Sequence, residues 1–207
     1  MREFLKACLK FDEPIKAQLL ITFAINLSWG LTAPIIAKLQ GELWTVKMIA
    51  VYYISKKAIT FMLPYFEKVK LKNAYRNVII LDTIYLASIF IFFVNKELFV
   101  YIEAFLMVLY ALILEVFDIS LTVFLVNKYG NSRFKKIQYS KKMLIAIAAV
   151  IGYSVVIVLN MIGLDMYLSM CMFIIIISIT LMYQLYSYMN HWTEEFLNIY
   201  QIEQLKR

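Results

Sequence analysis

The chain has 207 residues, of which 63% are apolar and 16% aromatic, and its mean hydropathy is +0.74. A soluble domain of this length does not need so much apolar surface. The formal net charge of +7 would suit nucleic acid. The basic residues, however, cluster in short stretches between apolar runs, so we expect contact with the lipid bilayer and no nucleic-acid partner.

Apolar runs long enough to cross the roughly 30 Å of hydrocarbon in a bilayer recur along the chain. Period-2 alternation is weak, which argues against a β-barrel. We therefore predict an all-α membrane protein. Its six transmembrane helices are predicted at about residues 17–38, 46–66, 77–94, 98–126, 143–163 and 166–190.

The basic residues give the predicted orientation. Most lie before the first span, between the second and third, between the fourth and fifth, and after the sixth. The positive-inside rule then places both termini in the cytoplasm, with the protein in the cell (inner) membrane. The domain prediction is an amphipathic N-terminal segment (1–16), a transmembrane domain (17–190) and an amphipathic C-terminal tail (191–207), where fraying helix ends are the alternative to interfacial helices.

Several polar side chains fall in one layer near the middle of the bilayer when residues are counted inward at roughly 1.5 Å each. Charged groups at this depth face the bundle interior or a water-filled cavity, and they pair. Three interpretations stay open: a structural ion pair, a polar cavity for a solute or proton, or lysines that snorkel to an interface. The predicted substrate or proton pathway consists of Asn26, Trp29, Lys56, Lys57, Glu115 and Asp118.

Two further carboxylates are predicted to make local salt bridges rather than a site. Asp82 lies about 7–8 Å from the predicted cytoplasmic edge. Glu103 lies near the predicted outer boundary.

Motifs of catalysis and cofactor binding are missing. His191 is the only histidine, Cys8 and Cys171 are predicted to be free thiols, and no glycine-rich phosphate loop occurs. We predict no enzyme activity, no catalytic or metal site and no cofactor.

Three stretches resemble the N-terminal half of a major facilitator superfamily transporter. They are NLSWGLTAPIIAKL (26–39), the basic loop EKVKLKNAYR (67–76), and NSRFKKIQYSKKMLIAIAAVIGYSVV (131–156), a basic loop that runs into a fifth helix containing Gly152. The resemblance implies that spans one and four line a central cavity and that the helices form two inverted three-helix repeats. It also implies a homodimer or a partner half, because the complete transporter has twice as many helices.

Three functions are open alternatives. The first is a half-size transporter-like protein that moves a small solute as a homodimer or with a partner membrane protein. The second is a non-transporting accessory protein of the immunity, chaperone or receptor type, which acts by binding a partner protein. The third is the substrate-binding subunit of an energy-coupling importer.

Overall fold

The computed structural model describes residues 11–58, 61, 70–163 and 166–190. These residues form helices and short connections, and no strand occurs among them. The prediction of an all-α fold is confirmed. The helices are α1 (Glu13–Leu43), α2 (Val46–Ala58), α3 (Leu71–Val94), α4 (Lys96–Met161) and α5 (Met166–Asn190).

Four helices within the described residues, α1, α3, α4 and α5, are long and apolar enough to cross a membrane. The apolar part of α2, Val46–Ser55, is shorter than a span. The end of the second predicted span and most of the two flanking segments (residues 1–10 and 191–207) lie outside the described part of the chain. The number of six spans, the repeats and the orientation stay predictions.

Helix α4 covers 66 residues but is broken at Gly130. Gly130 has φ 70° and ψ 166°, a backbone conformation that is essentially restricted to glycine. Across this break, Lys141 Nζ lies 2.5 Å from Asp118 Oδ1, whereas a straight helix would separate the two residues by about 35 Å. The first arm (96–129) and the second arm (131–161) of α4 therefore form an antiparallel hairpin. The first arm is about 51 Å long and the second about 46 Å, and both exceed the thickness of the hydrocarbon layer.

The bend is fastened to the start of α1. Asp12, which precedes α1, accepts a hydrogen bond from the Tyr129 hydroxyl at 2.5 Å. The same carboxylate forms an ion pair with the Arg133 guanidinium at 3.2 Å. Arg133 also covers the Tyr129 ring at 4.8 Å from the centroid, a cation–π contact. Residues on both sides of Gly130 are thus held by one carboxylate.

Helix α1 meets the second arm of α4 through a contact between two glycines. A Cβ atom added to Gly152 would lie 2.7 Å from the Cα atom of Gly30, and one added to Gly30 would lie 2.9 Å from the Cα atom of Gly152. No side chain fits between these two backbones. Close approach through small residues is a common way for helices to associate in membranes.

The two ends of the bundle differ in charge. The starts of α1 and α3 share one apolar cluster with the residues that flank the Gly130 bend. At the opposite end, Trp44 packs near Tyr101, and Phe92 packs near Tyr167. We call the first the basic end, because it carries a concentration of cationic side chains: Lys16, Lys70, Lys72, Arg76, Lys128, Arg133, Lys135 and Lys136.

Candidate functional site

Two apolar clusters fill the bundle along its length, and polar side chains lie where they meet. The cluster at the basic end includes Tyr75 and Phe117, and the cluster at the opposite end includes Phe92 and Phe99. The two tyrosines of this polar group also belong to the second cluster, and the group joins α1, α3, α4 and α5. We call it the Asp82 layer, and it consists of Trp29, Asp82, Tyr85, Tyr110 and Gln184.

Asp82 lies near the middle of α3 and is only 2% exposed. Its Oδ2 atom accepts a hydrogen bond from Gln184 Nε2 of α5 at 2.9 Å. The Tyr110 hydroxyl of α4 lies beside the same carboxylate without reaching normal hydrogen-bond geometry. No ion pair with Asp82 forms within the described residues. The prediction of a local salt bridge at Asp82 is wrong for this part of the chain.

The physical reason is the length of α3. The predicted third span begins at residue 77, but α3 begins at Leu71, so Asp82 lies about 16 Å along the helix from its start. The additional turns are amphipathic. Leu71, Ala74 and Tyr75 are buried, while Arg76 is exposed. This segment therefore continues the helix at the basic end and moves Asp82 toward the bundle centre.

Aromatic rings form the rest of the Asp82 layer. The Trp29 ring lies 5.0 Å from the ring of Tyr85 and 5.7 Å from that of Tyr110. Tyr85 also contacts Phe173 of α5 at 5.7 Å. The hydroxyls of Tyr85 and Tyr110 are buried and make no hydrogen bond within the described part of the chain. Each such group costs about 1–3 kcal/mol, so this layer is destabilised in a way that apolar residues would avoid.

A second buried carboxylate lies toward the opposite end. Glu103 of α4 is 2% exposed, and its Oε2 atom accepts a hydrogen bond from Gln40 Nε2 of α1 at 3.3 Å. Tyr52 of α2 is close enough to feel the charge of this carboxylate. Glu103 therefore connects α4 to α1 and lies near α2, rather than at a solvated boundary.

The six predicted pathway residues are distributed over several environments. Trp29 is part of the Asp82 layer, and half-buried Asn26 donates a hydrogen bond to the Thr22 carbonyl one turn away at 2.8 Å. Glu115 is exposed on the first arm of α4, and Lys57 is exposed on α2. Lys56 lies in α2, and its side chain falls outside what the structure describes.

Asp118 has a different partner from the one predicted. The sequence suggested an ion pair between Glu115 or Asp118 and one of the lysines at 56 and 57. In the structure the 2.5 Å partner of Asp118 is Lys141, which the second arm brings back across the Gly130 bend. Of the five predicted pathway residues whose side chains the structure describes, Trp29 alone lies in the Asp82 layer. Whether the six residues form a pathway stays a prediction.

A cleft opens between α1, the second arm of α4 and α5 on the side away from the basic end. Its volume is about 620 Å³, within the range of about 300–1,000 Å³ that is common for small-molecule sites. Its walls are mostly apolar, with a few polar groups. The lining includes Pro34, Lys38, Asn160, Met166 and Ser169.

The cleft lies next to the glycine contact in sequence. Gly30 precedes the lining residues of α1 by one turn, and Gly152 precedes those of the second arm by one turn. The two helices touch at the glycines and leave space between them further along. Among the described residues, no group of His, Cys, Asp and Glu side chains is arranged to hold a metal ion.

Comparison with known proteins gives no relative, because no family model, no curated protein and no solved structure matches this chain. The resemblance to the major facilitator superfamily therefore rests on the sequence motifs alone.

Proposed function

We propose that this chain is a half-size transporter-like protein of the cell (inner) membrane, which moves a small solute as a homodimer or with a partner half. The observation that carries the proposal is Asp82, a buried carboxylate with no cationic partner among the described residues. Ionisable groups inside membrane bundles are costly and commonly mark ion and substrate pathways. Helix packing alone does not require a carboxylate at this position.

Two further features support movement of a solute. The cleft of about 620 Å³ offers apolar walls together with Lys38 and Asn160, a combination that can orient a small polar molecule. The Gly30–Gly152 contact lies at the base of this cleft. Because both backbones touch there without side chains, rocking of α1 against the second arm would open or close the cleft around that point.

The charge distribution supports the proposed orientation. The basic end of the bundle would face the cytoplasm, as the positive-inside rule requires. The hairpin arms of α4 would then be the fourth and fifth of the six predicted spans. In this arrangement the cleft faces the outer side of the membrane.

Reconstitution tests the proposal. The full-length protein would be placed in liposomes on a solid support, and currents would be recorded on addition of amino acids, sugars or nucleosides in separate trials. We expect a current with at least one class of solute and its loss in Asp82→Asn. Asp12→Asn is the control, because its parent carboxylate is half exposed, paired with Arg133 and outside the predicted pathway. Absence of current with every solute class would contradict transport.

The second candidate is a non-transporting accessory protein, and the aromatic packing favours it. Trp29, Tyr85 and Tyr110 fill the middle of the bundle with rings in mutual contact, which stabilises one conformation. This function requires a partner protein that co-purifies at fixed stoichiometry. It also requires that Asp82→Asn leave that association unchanged.

A further inference from the structure

The Asp82 layer contains a buried acceptor that no donor of the described residues reaches. The Gln184 amide donates from Nε2 to Asp82 Oδ2 at 2.9 Å. Its own oxygen, Oε1, is buried and receives no hydrogen bond within the described residues. Buried acceptors without donors are uncommon and costly. The carboxyl group of Asp82 lies next to this amide, and it can donate a hydrogen bond when it is protonated.

The charged groups around Asp82 decide its protonation state. From α4 it is faced by Tyr110 and from α5 by Gln184. On α3 itself, Tyr85 lies one turn away and Tyr75 is close enough to feel the charge of the carboxylate. None of these groups carries a positive charge. A carboxylate in such surroundings loses its hydration without gaining a counter-ion, and neutralisation is the usual outcome.

We propose that Asp82 is a proton-binding site and that it holds a proton in the conformation described here. The added proton converts the carboxylate into a carboxylic acid. That acid and the Gln184 amide can exchange two hydrogen bonds, from Nε2 to the carboxyl group and from the carboxyl O–H to Oε1. One proton thus removes a buried charge and gives Gln184 Oε1 a hydrogen-bond donor.

A metal cation fits the same site less well. Na⁺ would need several oxygen ligands pointing at it, but Gln184 presents an N–H group to Asp82. That N–H group repels a cation and attracts a carboxyl oxygen. The proton is therefore the ligand that the observed orientation of Gln184 favours.

Release of the proton would leave a negative charge where no cation lies within the described residues, so release requires the layer to open toward water or toward a cation. The use of this proton as the coupling ion of transport rests on the proposed function. Proton binding itself does not depend on transport.

Infrared spectroscopy of the full-length protein in lipid vesicles at neutral pH tests the inference. A protonated carboxyl group absorbs at a C=O frequency separate from that of carboxylates. We expect a parent-minus-variant difference spectrum of Asp82→Asn to contain this band, and that of Asp118→Asn to lack it. Asn can exchange two hydrogen bonds with Gln184 as an amide–amide pair, so the variant should stay folded, which circular dichroism checks.

Gln184→Leu gives a second, independent readout. It removes the hydrogen bond to Asp82, so the Asp82 band should remain and move to higher frequency. Absence of a protonated band assigned to Asp82 at neutral pH would overturn the inference. Loss of the band when Na⁺ replaces choline at constant ionic strength would also overturn it, in favour of a cation site.

The proposed function can fail separately. An Asp82 band in a protein that gives no solute current would leave proton binding established and contradict transport. A solute current without an Asp82 band would support transport and reject the proton site.

Discussion

The carboxylates at the α4 bend and the carboxylate in the bundle centre are neutralised in different ways. Asp12 and Asp118 are partly exposed, and each has a basic partner, Arg133 or Lys141. Asp82 is buried and has an uncharged amide as its hydrogen-bond donor. Charges that hold the bend together are thus compensated by opposite charges, whereas the interior charge is left to hydrogen bonds and protonation.

This difference distinguishes the charged groups that hold the fold together from the one that we expect to act in function. An ion pair that joins two segments can be replaced by other contacts at small cost, particularly where it is exposed. A buried carboxylate without a cation lowers stability, and such perturbed groups cluster at functional sites. The Gly130 bend is therefore the part that shapes the fold, and the Asp82 layer is the part that we expect to act.

The largest expected effect is on activity, at the interior carboxylate. Asp82→Asn should abolish solute-driven current, to the level of protein-free vesicles, because the amide cannot release a proton. Its unfolding midpoint should stay close to that of the parent. The measurement combines current recording with thermal unfolding of the same preparation. Retained current in Asp82→Asn would contradict a role of Asp82 in transport.

The bend should show the largest effect on stability. Gly130→Ala places a side chain at φ 70° and ψ 166° and should lower the free energy of unfolding by about 1–3 kcal/mol. Gly41→Ala is the matched control, since Gly41 lies in α1 with no atom within 4 Å of an added Cβ. That change should be neutral or stabilise by up to about 1 kcal/mol. Equal unfolding midpoints for the two variants would contradict the assigned turn geometry.

A smaller effect is expected where the two arms of α4 are joined. Lys141→Met removes the partner of Asp118, whose side chain is 49% exposed. The free energy of unfolding should fall by about 1 kcal/mol or less. The double variant Lys141→Met, Asp118→Leu should recover most of this loss, because no unpaired charge remains. If the double variant is less stable than the single one, the pair is not the main interaction at this point.

The smallest effect is expected at the start of α1. Asp12→Asn keeps an acceptor for the Tyr129 hydroxyl and loses the ion pair with the half-exposed Arg133. The expected cost is a few tenths of a kcal/mol, and the difference from the parent should diminish at high salt. A salt-independent loss would indicate that the hydrogen bond, not the ion pair, fastens the bend.

The positions of the long helices could be predicted from hydropathy alone. The predicted spans 17–38, 77–94, 98–126 and 166–190 each fall inside an observed helix. The start of α3 at Leu71 differs from the predicted start at residue 77. The first turns of the helix carry Lys72 and Arg76, and basic residues at the edge of an apolar run are typical of a loop. Their neighbours Ala74 and Tyr75 are buried, so the 3.6-residue period of apolar positions was the available signal.

The candidate site was harder to predict, for geometric reasons. Depth counting places residues along the membrane normal but does not say which helices are neighbours. Lys141 belongs to a basic stretch that was assigned to a loop, and only the Gly130 bend brings it to Asp118. Gln184 is uncharged and lies in a largely apolar helix. The role of Gln184 depends on its hydrogen bond to Asp82, and spacing along the sequence does not indicate that contact.

The contact of Trp29 with Tyr110, whose hydroxyl lies beside Asp82, gives the protein a built-in optical probe. Indole emission responds to the electric field at the ring, so ionisation of a carboxyl group in this layer should shift its wavelength. The chain contains three tryptophans, and replacing Trp44 and Trp192 by Phe would leave Trp29 as the sole indole, which can be excited selectively over tyrosine. The charge of the interior could then be followed in real time without any label.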